Sequence, residues 1–358
     1  TGKQKFSSYE GTGATQSITT GFRPGFLLIK NADYGGTGSE HWSIVDGSRS
    51  PFDPQHDWLF ANGNFAENTN ETNRSVTFTD TGFTINSTTD FLNRNGDTFI
   101  YAAFAGSYSD YITDYNTDGS IDSRVKANDT TGFSIVSYTG TGANGNWGHG
   151  LSAAPDMVIV KNRDNGGMPW LVYHSSNTAN PETDYLLLNS TAATTDFNTA
   201  WNDTSPTSTV FNVGTADGTN QSGYRHIAYC WSETTGYSKF GSYTGTGSAG
   251  NQITLGFKPA VVIIKRTDST SDWAIVDNTR DVDPNGDGAM LKLNANYAEA
   301  NNTTWTQVDL LSNSFRVDST DSDHNASGGT YIYAAFADTR EAAFWLDQSG
   351  NDNDWQPV

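Results

Sequence analysis

The sharpest calcium-like spacing of oxygen ligands in the chain lies between Asp114 and Asp122. Asp114, Asn116, Asp118 and Asp122 place side-chain oxygens at the first, third, fifth and ninth positions of a loop, with Gly119 sixth and Ile121 eighth. A hard cation such as calcium needs several oxygens converging from a tightly turning backbone, and the carbonyl of Ser120 at the seventh position fits that requirement. Val125 stands twelfth, where an EF-hand carries a bidentate glutamate, so the expected site is incomplete and holds calcium weakly or with a borrowed ligand. A solvated acidic linker is the alternative. Asp283, Asn285 and Asp287 repeat only the first half of the pattern and are a weaker candidate for the same cation, turn chemistry being the alternative.

Other chemistry is sparse. The histidines, His41, His56, His149, His174, His226 and His324, form no pair at helical spacing, and with the lone Cys230 they make no zinc pattern. Cys230 and His226 both lie in an apolar run and read as core strand residues; Asp318, Asp321, Asp323 and His324 read as a hydrated loop. No Gly-x-Ser-x-Gly elbow and no phosphate-cradling loop occurs. Two facing carboxylates would suffice for a glycosidase, but the acidic residues fall mostly in turns. Tyr9, Tyr138 and Tyr243 beside Gly-Thr-Gly turns, and Trp147, Trp201 and Trp305 in polar surroundings, could stack against a sugar ring, the alternative being that they pack in cores.

The segments that carry these residues are repeats. Ser8-Tyr9-Glu10-Gly11-Thr12-Gly13 returns as Ser137-Tyr138-Thr139-Gly140-Thr141-Gly142 and as Ser242-Tyr243-Thr244-Gly245-Thr246-Gly247. Gly21-Phe22-Arg23-Pro24 and Gly256-Phe257-Lys258-Pro259 each open an apolar strand, which ends at Lys30 or Lys265; Ala154-Pro155 and Lys161 are the looser middle version. Proline closing a turn before a β-branched or aromatic run reads as a strand buried on both faces, and the lysine is expected to be solvated. Trp42, Trp170 and Trp273 then lead short strands that pair as hairpins with the preceding one. Leu59-Phe60-Ala61-Asn62, Leu186-Leu187-Leu188-Asn189 and Leu291-Lys292-Leu293-Asn294 follow, and two alternating strands close each copy.

About seven short strands per hundred residues describe an all-β protein of three tandem antiparallel β-sandwich domains, of jelly-roll or lectin-like type. The expected organisation is repeat 1 at 1–105, an Asp-rich linker at 106–131 with the possible calcium loop, repeat 2 at 132–233, repeat 3 at 237–338 and the start of a further segment at 339–358. Domain-sized copies are expected to be beads with separate cores.

With 40 acidic against 20 basic side chains and a net charge of -20, the chain should repel nucleic acid, and no apolar stretch is long enough for membrane insertion. The Tyr-x-Gly-x-Gly, Gly-Phe-x-Pro and Gly96-Asp97-Thr98-Phe99-Ile100-Tyr101-Ala102-Ala103-Phe104 motifs, with the closing Phe344-Trp345-Leu346-Asp347 segment, resemble an uncharacterised tandem β-domain of marine bacteriophage structural proteins. That resemblance covers nearly the whole chain. It implies a virion-surface or extracellular setting, assembly as a homo-oligomer with other virion proteins, and contact with a host-surface glycan or receptor. The expected function is a non-enzymatic tail-fibre or appendage protein. A capsid decoration protein, a secreted adhesin and a polysaccharide depolymerase are the alternatives.

Overall fold

The computed structural model describes residues 4–35, 40–49, 53–69, 74–87, 90–106, 114–280, 289–301 and 307–337. The chain is all-β: every strand pairing among the described residues is antiparallel, and the described helices are single turns of four residues or fewer. None of them is long and apolar enough to cross a membrane.

One strand order recurs three times. In the first repeat the strand Gln4–Glu10 pairs with the last one, Thr98–Ala105, which pairs with Pro24–Asn31, then Ser43–Asp46, then Leu59–Phe60. The third repeat lays down Ser238–Thr244, Thr330–Ala337, Pro259–Arg266, Trp273–Asp277 and Ala289–Lys292 in the same order. In the second the order is Phe133–Thr139, Arg225–Trp231, Met157–Asn162, Leu171–His174 and Asp184–Leu187. A smaller sheet accompanies each: Gln16–Thr19, Gly82–Ile85 and Val76–Thr79 in repeat 1, Asn251–Thr254, Ser314–Val317 and Val308–Leu310 in repeat 3, but only Gly145–Gly148 with Val210–Val213 in repeat 2.

Strand alternation sends one face of each large sheet toward its small sheet. Leu27, Phe99 and Tyr101 thus share a core with Phe78, Phe83 and Ile85. Equivalent cores gather Val136, Val160 and Phe211, and Val262, Ile264 and Phe315. The opposite faces meet one another, and this corrects the expectation of beads with separate cores. Phe6, Phe26, Phe104, Phe133, Trp231, Phe240 and Phe336 belong to one buried cluster drawn from all three repeats. At its centre the equivalent rings of Phe104, Trp231 and Phe336 lie 5.9, 5.4 and 6.4 Å apart pairwise.

Polar contacts close this arrangement into a ring. The indole N–H of Trp170 donates to the carbonyl of Phe60 in repeat 1 at 2.9 Å, Trp273 to Leu187 in repeat 2 at 2.8 Å, and Trp42 to Lys292 in repeat 3 at 2.9 Å. Each tryptophan is fixed by its own repeat, because its backbone N–H donates to the side-chain oxygen of Asn62, Asn189 or Asn294. A backbone bond follows the same cycle: Glu67 N to Arg163 O at 2.7 Å, Thr194 N to Thr267 O at 2.9 Å, and Glu299 N to Ala32 O at 2.8 Å.

The lysines expected in solvent are buried, at 1%, 0% and 0% exposure for Lys30, Lys161 and Lys265. Each ammonium donates to two backbone carbonyls, Asn31 and Tyr34, Asn162 and Met168, or Thr191 and Ser271. A buried charge persists only when so bonded, and burial pulls all three down to about 8.

The Gly-Thr-Gly turns also have a cause. A Cβ on Gly11, Gly140 or Gly245 would sit 2.1, 2.3 or 2.1 Å from a backbone oxygen of Arg94, Gln221 or Ala326. The fully buried Asn93, Asn220 and Asn325, each ending a helical turn between the last two strands, accept from Thr12 N, Thr141 N and Thr246 N. The third of these turns, Ser322–Asn325, lies where a hydrated loop was expected, and His324 within it is buried.

Candidate functional site

Residues 114–128, expected as a linker, belong to the sheet of repeat 2. Ser123–Asn128 pairs with Phe133–Thr139 from Phe133 to Tyr138, and Asp114–Asn116 pairs with Ser123–Asn128, so that the large sheet reaches eight strands. The turn between them lies on the small sheet, where Ile121 makes a parallel bridge to Trp147. Glycine is required at that contact: a Cβ on Gly119 would stand 2.4 Å from the Asn146 carbonyl oxygen.

The calcium expectation falls on this turn. Asn116 Oδ1 accepts from Asp118 N at 2.8 Å and Ser120 Oγ accepts from Asn146 N at 3.0 Å, so these two neutral oxygens already hold the turn's shape. The side chains of Asp118 and Asp122 are exposed. Among the described residues no three His, Cys, Asp or Glu side chains gather as a metal site. Asp283, Asn285 and Asp287 lie outside the described residues, as does Trp305.

The tyrosines proposed as sugar platforms are packed instead. Tyr9 stacks on Phe99 at 5.1 Å, Tyr138 on His226 at 5.1 Å and Tyr243 on Tyr331 at 4.9 Å. Their hydroxyls donate inward to the carbonyls of Leu92, Thr219 and His324. Trp147 and Trp201 are 0% and 1% exposed, and the Trp201 indole donates to Asp184 O. Tyr138, Trp147 and Trp201 are thus buried, while Tyr9 and Tyr243 are half-buried with one face stacked on a neighbouring ring.

An open site does exist beside the added hairpin, as a cleft of about 630 Å³ between repeats 1 and 2. Tyr115, 66% exposed, stands at one wall with the Arg124 guanidinium 4.8 Å from its ring centre. Arg163 and Arg225 line the opposite part, with Ser137, Thr139 and Ser48 between. The Ser48 hydroxyl has no hydrogen-bond partner in the fold. Among the described residues of the wall, Asp122 is the one acidic residue beside three arginines, two of which are paired with carboxylates.

The arginines are positioned by ion pairs. Arg225 makes a two-pronged pair with Asp164 at 2.9 and 2.5 Å, while its side chain stays 52% exposed. Arg163 grips Glu67 with Nη2–Oε2 at 2.7 Å, and the other oxygen of Glu67 takes Arg49 at 2.8 Å. Arg49 continues to Asp46 at 2.6 Å, and Asp46 accepts from the Tyr229 hydroxyl at 2.7 Å. This chain of five buried groups crosses between repeats. Burial would raise the Asp46 carboxyl, but Arg49 and the Tyr229 hydroxyl outweigh it and hold it below the usual carboxylate range. Such a site can hold a planar or ring-shaped ligand bearing a negative charge.

Sequence reading missed Tyr115, Arg124, Arg163 and Arg225. Tyr115 lay unnoticed within the metal-like spacing, and nothing local announces that Arg163 faces Glu67, 96 residues earlier in the chain.

The chain matches the family described as a domain of unknown function (DUF7483) over residues 1–107 and 111–340, and it belongs to that family. No curated protein and no solved structure matches it.

Proposed function

We propose that this family member is a non-enzymatic structural and adhesion protein of a virion surface, a phage tail fibre or appendage, whose repeats are β-sandwiches of jelly-roll or lectin-like kind. The observation that carries the reading is the closed ring of Trp42, Trp170 and Trp273, each reaching into a neighbouring repeat. Buried lysines, arginines and carboxylates are bound to backbone carbonyls or to one another across junctions, an arrangement suited to a rigid surface module that contacts a ligand without transforming it. The phage setting rests on the repeated sequence motifs.

The same reading includes weak calcium binding by Asp114, Asn116, Asp118, Ser120 and Asp122, supported by their spacing. A ligand bound only by the ordered loop would stabilise it, so the melting temperature should fall on chelation. An unchanged melting curve leaves the segment an acidic turn.

Immunogold labelling of intact particles, with binding of the whole chain to host cells, tests the function. Label on tail structures and saturable cell binding support it. Label on the capsid shell favours a decoration protein, and release of sugars from host envelope polysaccharide favours a depolymerase.

A further inference from the structure

We propose that the cleft beside the added hairpin binds an acidic saccharide, with a sugar ring against Tyr115 and its carboxylate or sulfate at Arg124 and Arg225. This rests on the adhesion reading and names the ligand class of its contact surface.

Four observations carry it. Tyr115 is the most exposed large aromatic side chain among the described residues, and it stands in the wall of a concavity, where an aromatic face can stack on the C–H face of a pyranose. Arg124 lies over that ring at 4.8 Å, which places a cation beside the stacked sugar. Arg225 is held by Asp164 yet remains half exposed, so it can accept a second anion without rearranging. Ser137 and Thr139 line the same cleft and bring hydroxyls to it.

Charge separates this ligand from its competitors. A neutral sugar makes no use of the guanidinium groups of Arg124 and Arg225, and a long polyanion such as nucleic acid would meet the repulsion of a chain at -20. A ligand with one negative charge per few sugar units satisfies both constraints.

The test is calorimetric titration of the full chain with a uronic-acid oligosaccharide and with its carboxyl-reduced counterpart of equal length. The acidic form should bind at least about tenfold more tightly, a preference that shrinks with added salt. Tyr115→Ala and Arg124→Gln, both at exposed positions, should each weaken it about tenfold with an unchanged melting temperature. Equal binding of the two sugars, or wild-type affinity in both variants, overturns the inference. If the chain adheres to host cells but the acidic sugar neither binds nor competes, this inference fails and adhesion stands. Absence of cell adhesion despite sugar binding removes the adhesion reading instead.

Discussion

The indole nitrogen of Trp42 lies 2.9 Å from the backbone carbonyl oxygen of Lys292, joining the first repeat to the third across 250 positions of sequence. With Trp170 on Phe60 and Trp273 on Leu187 it makes a cycle in which no repeat is terminal. A linear row of domains would leave one such contact unmade.

Trp42→Phe keeps most of the ring but removes one of two donors from the Lys292 carbonyl, which retains the Ala295 N–H at 3.1 Å. Loss of one hydrogen bond whose acceptor keeps another donor costs about 0.5–1.5 kcal/mol. Denaturant unfolding should register that loss; Trp273→Phe should lose a similar amount, and Trp170→Phe more, because its indole N–H also reaches the Gly63 carbonyl at 3.1 Å. A Trp42 variant as stable as the parent would mean that the first and third repeats are not joined in solution.

Glu67 is placed between Arg49 and Arg163 with its side chain 1% exposed. Glu67→Gln removes the negative charge from between two guanidinium groups, and breaking such a buried arrangement from one side costs about 3–5 kcal/mol. The loss should hardly depend on salt, since the pair is shielded from solvent. A loss under about 1 kcal/mol, the range of exposed ion pairs, would contradict the packing of this junction.

The buried lysines make stability rise in mild alkali. Their folded values near 8 lie below the unfolded value of about 10.4, so above pH 8 the unfolded chain binds more protons than the folded one. Stability should therefore climb from about pH 8 to 9; beyond that Cys230 and the buried tyrosines, all raised by burial, oppose the trend. Lys161→Met should remove roughly one third of the climb. A flat profile in the parent protein would show that these ammonium groups are hydrated.

On the acid side, His174 accepts from Ser176 N at Nδ1, so Nε2 carries the proton donated to the Tyr333 carbonyl of repeat 3 at 3.1 Å. Burial lowers this imidazole to about 4, and His226 likewise. Below about pH 6.5 the unfolded chain takes up protons that the folded one refuses, so stability falls steadily toward pH 4. For His174 the full effect is on the order of 3 kcal/mol. His174→Gln should flatten that part of the profile, measured by unfolding at a series of pH values. The same slope with and without His174 would place it in contact with water.

The strands were legible in the sequence because alternation and turn chemistry are local. Leu27 and Ile29, or Phe83 and Ile85, announce a buried face by their spacing, and Gly11-Thr12-Gly13 announces a turn before any neighbour is known. The recurrence of Trp42 and Asn62 in three copies was equally plain, though its reason, an asparagine oxygen fixing the tryptophan backbone, was not.

The sequence could not tell which second partner each large sheet would face. Both faces of the strand Pro24–Asn31 are apolar, which requires a covering layer on each side but does not say what the second layer is. Only the meeting of Phe104, Trp231 and Phe336 decides for the ring. The same holds for Lys30, Lys161 and Lys265, whose charge argues for solvent until backbone carbonyls from loops and a neighbouring repeat surround it. The Asp114–Asp122 segment was read for its carboxylates, whereas edge pairing with Phe133–Thr139 made it a hairpin and put Tyr115 beside Arg124. Local spacing determines which way a side chain points along its own strand; what it meets there depends on contacts between residues a hundred or more positions apart, which only the closed tertiary structure supplies.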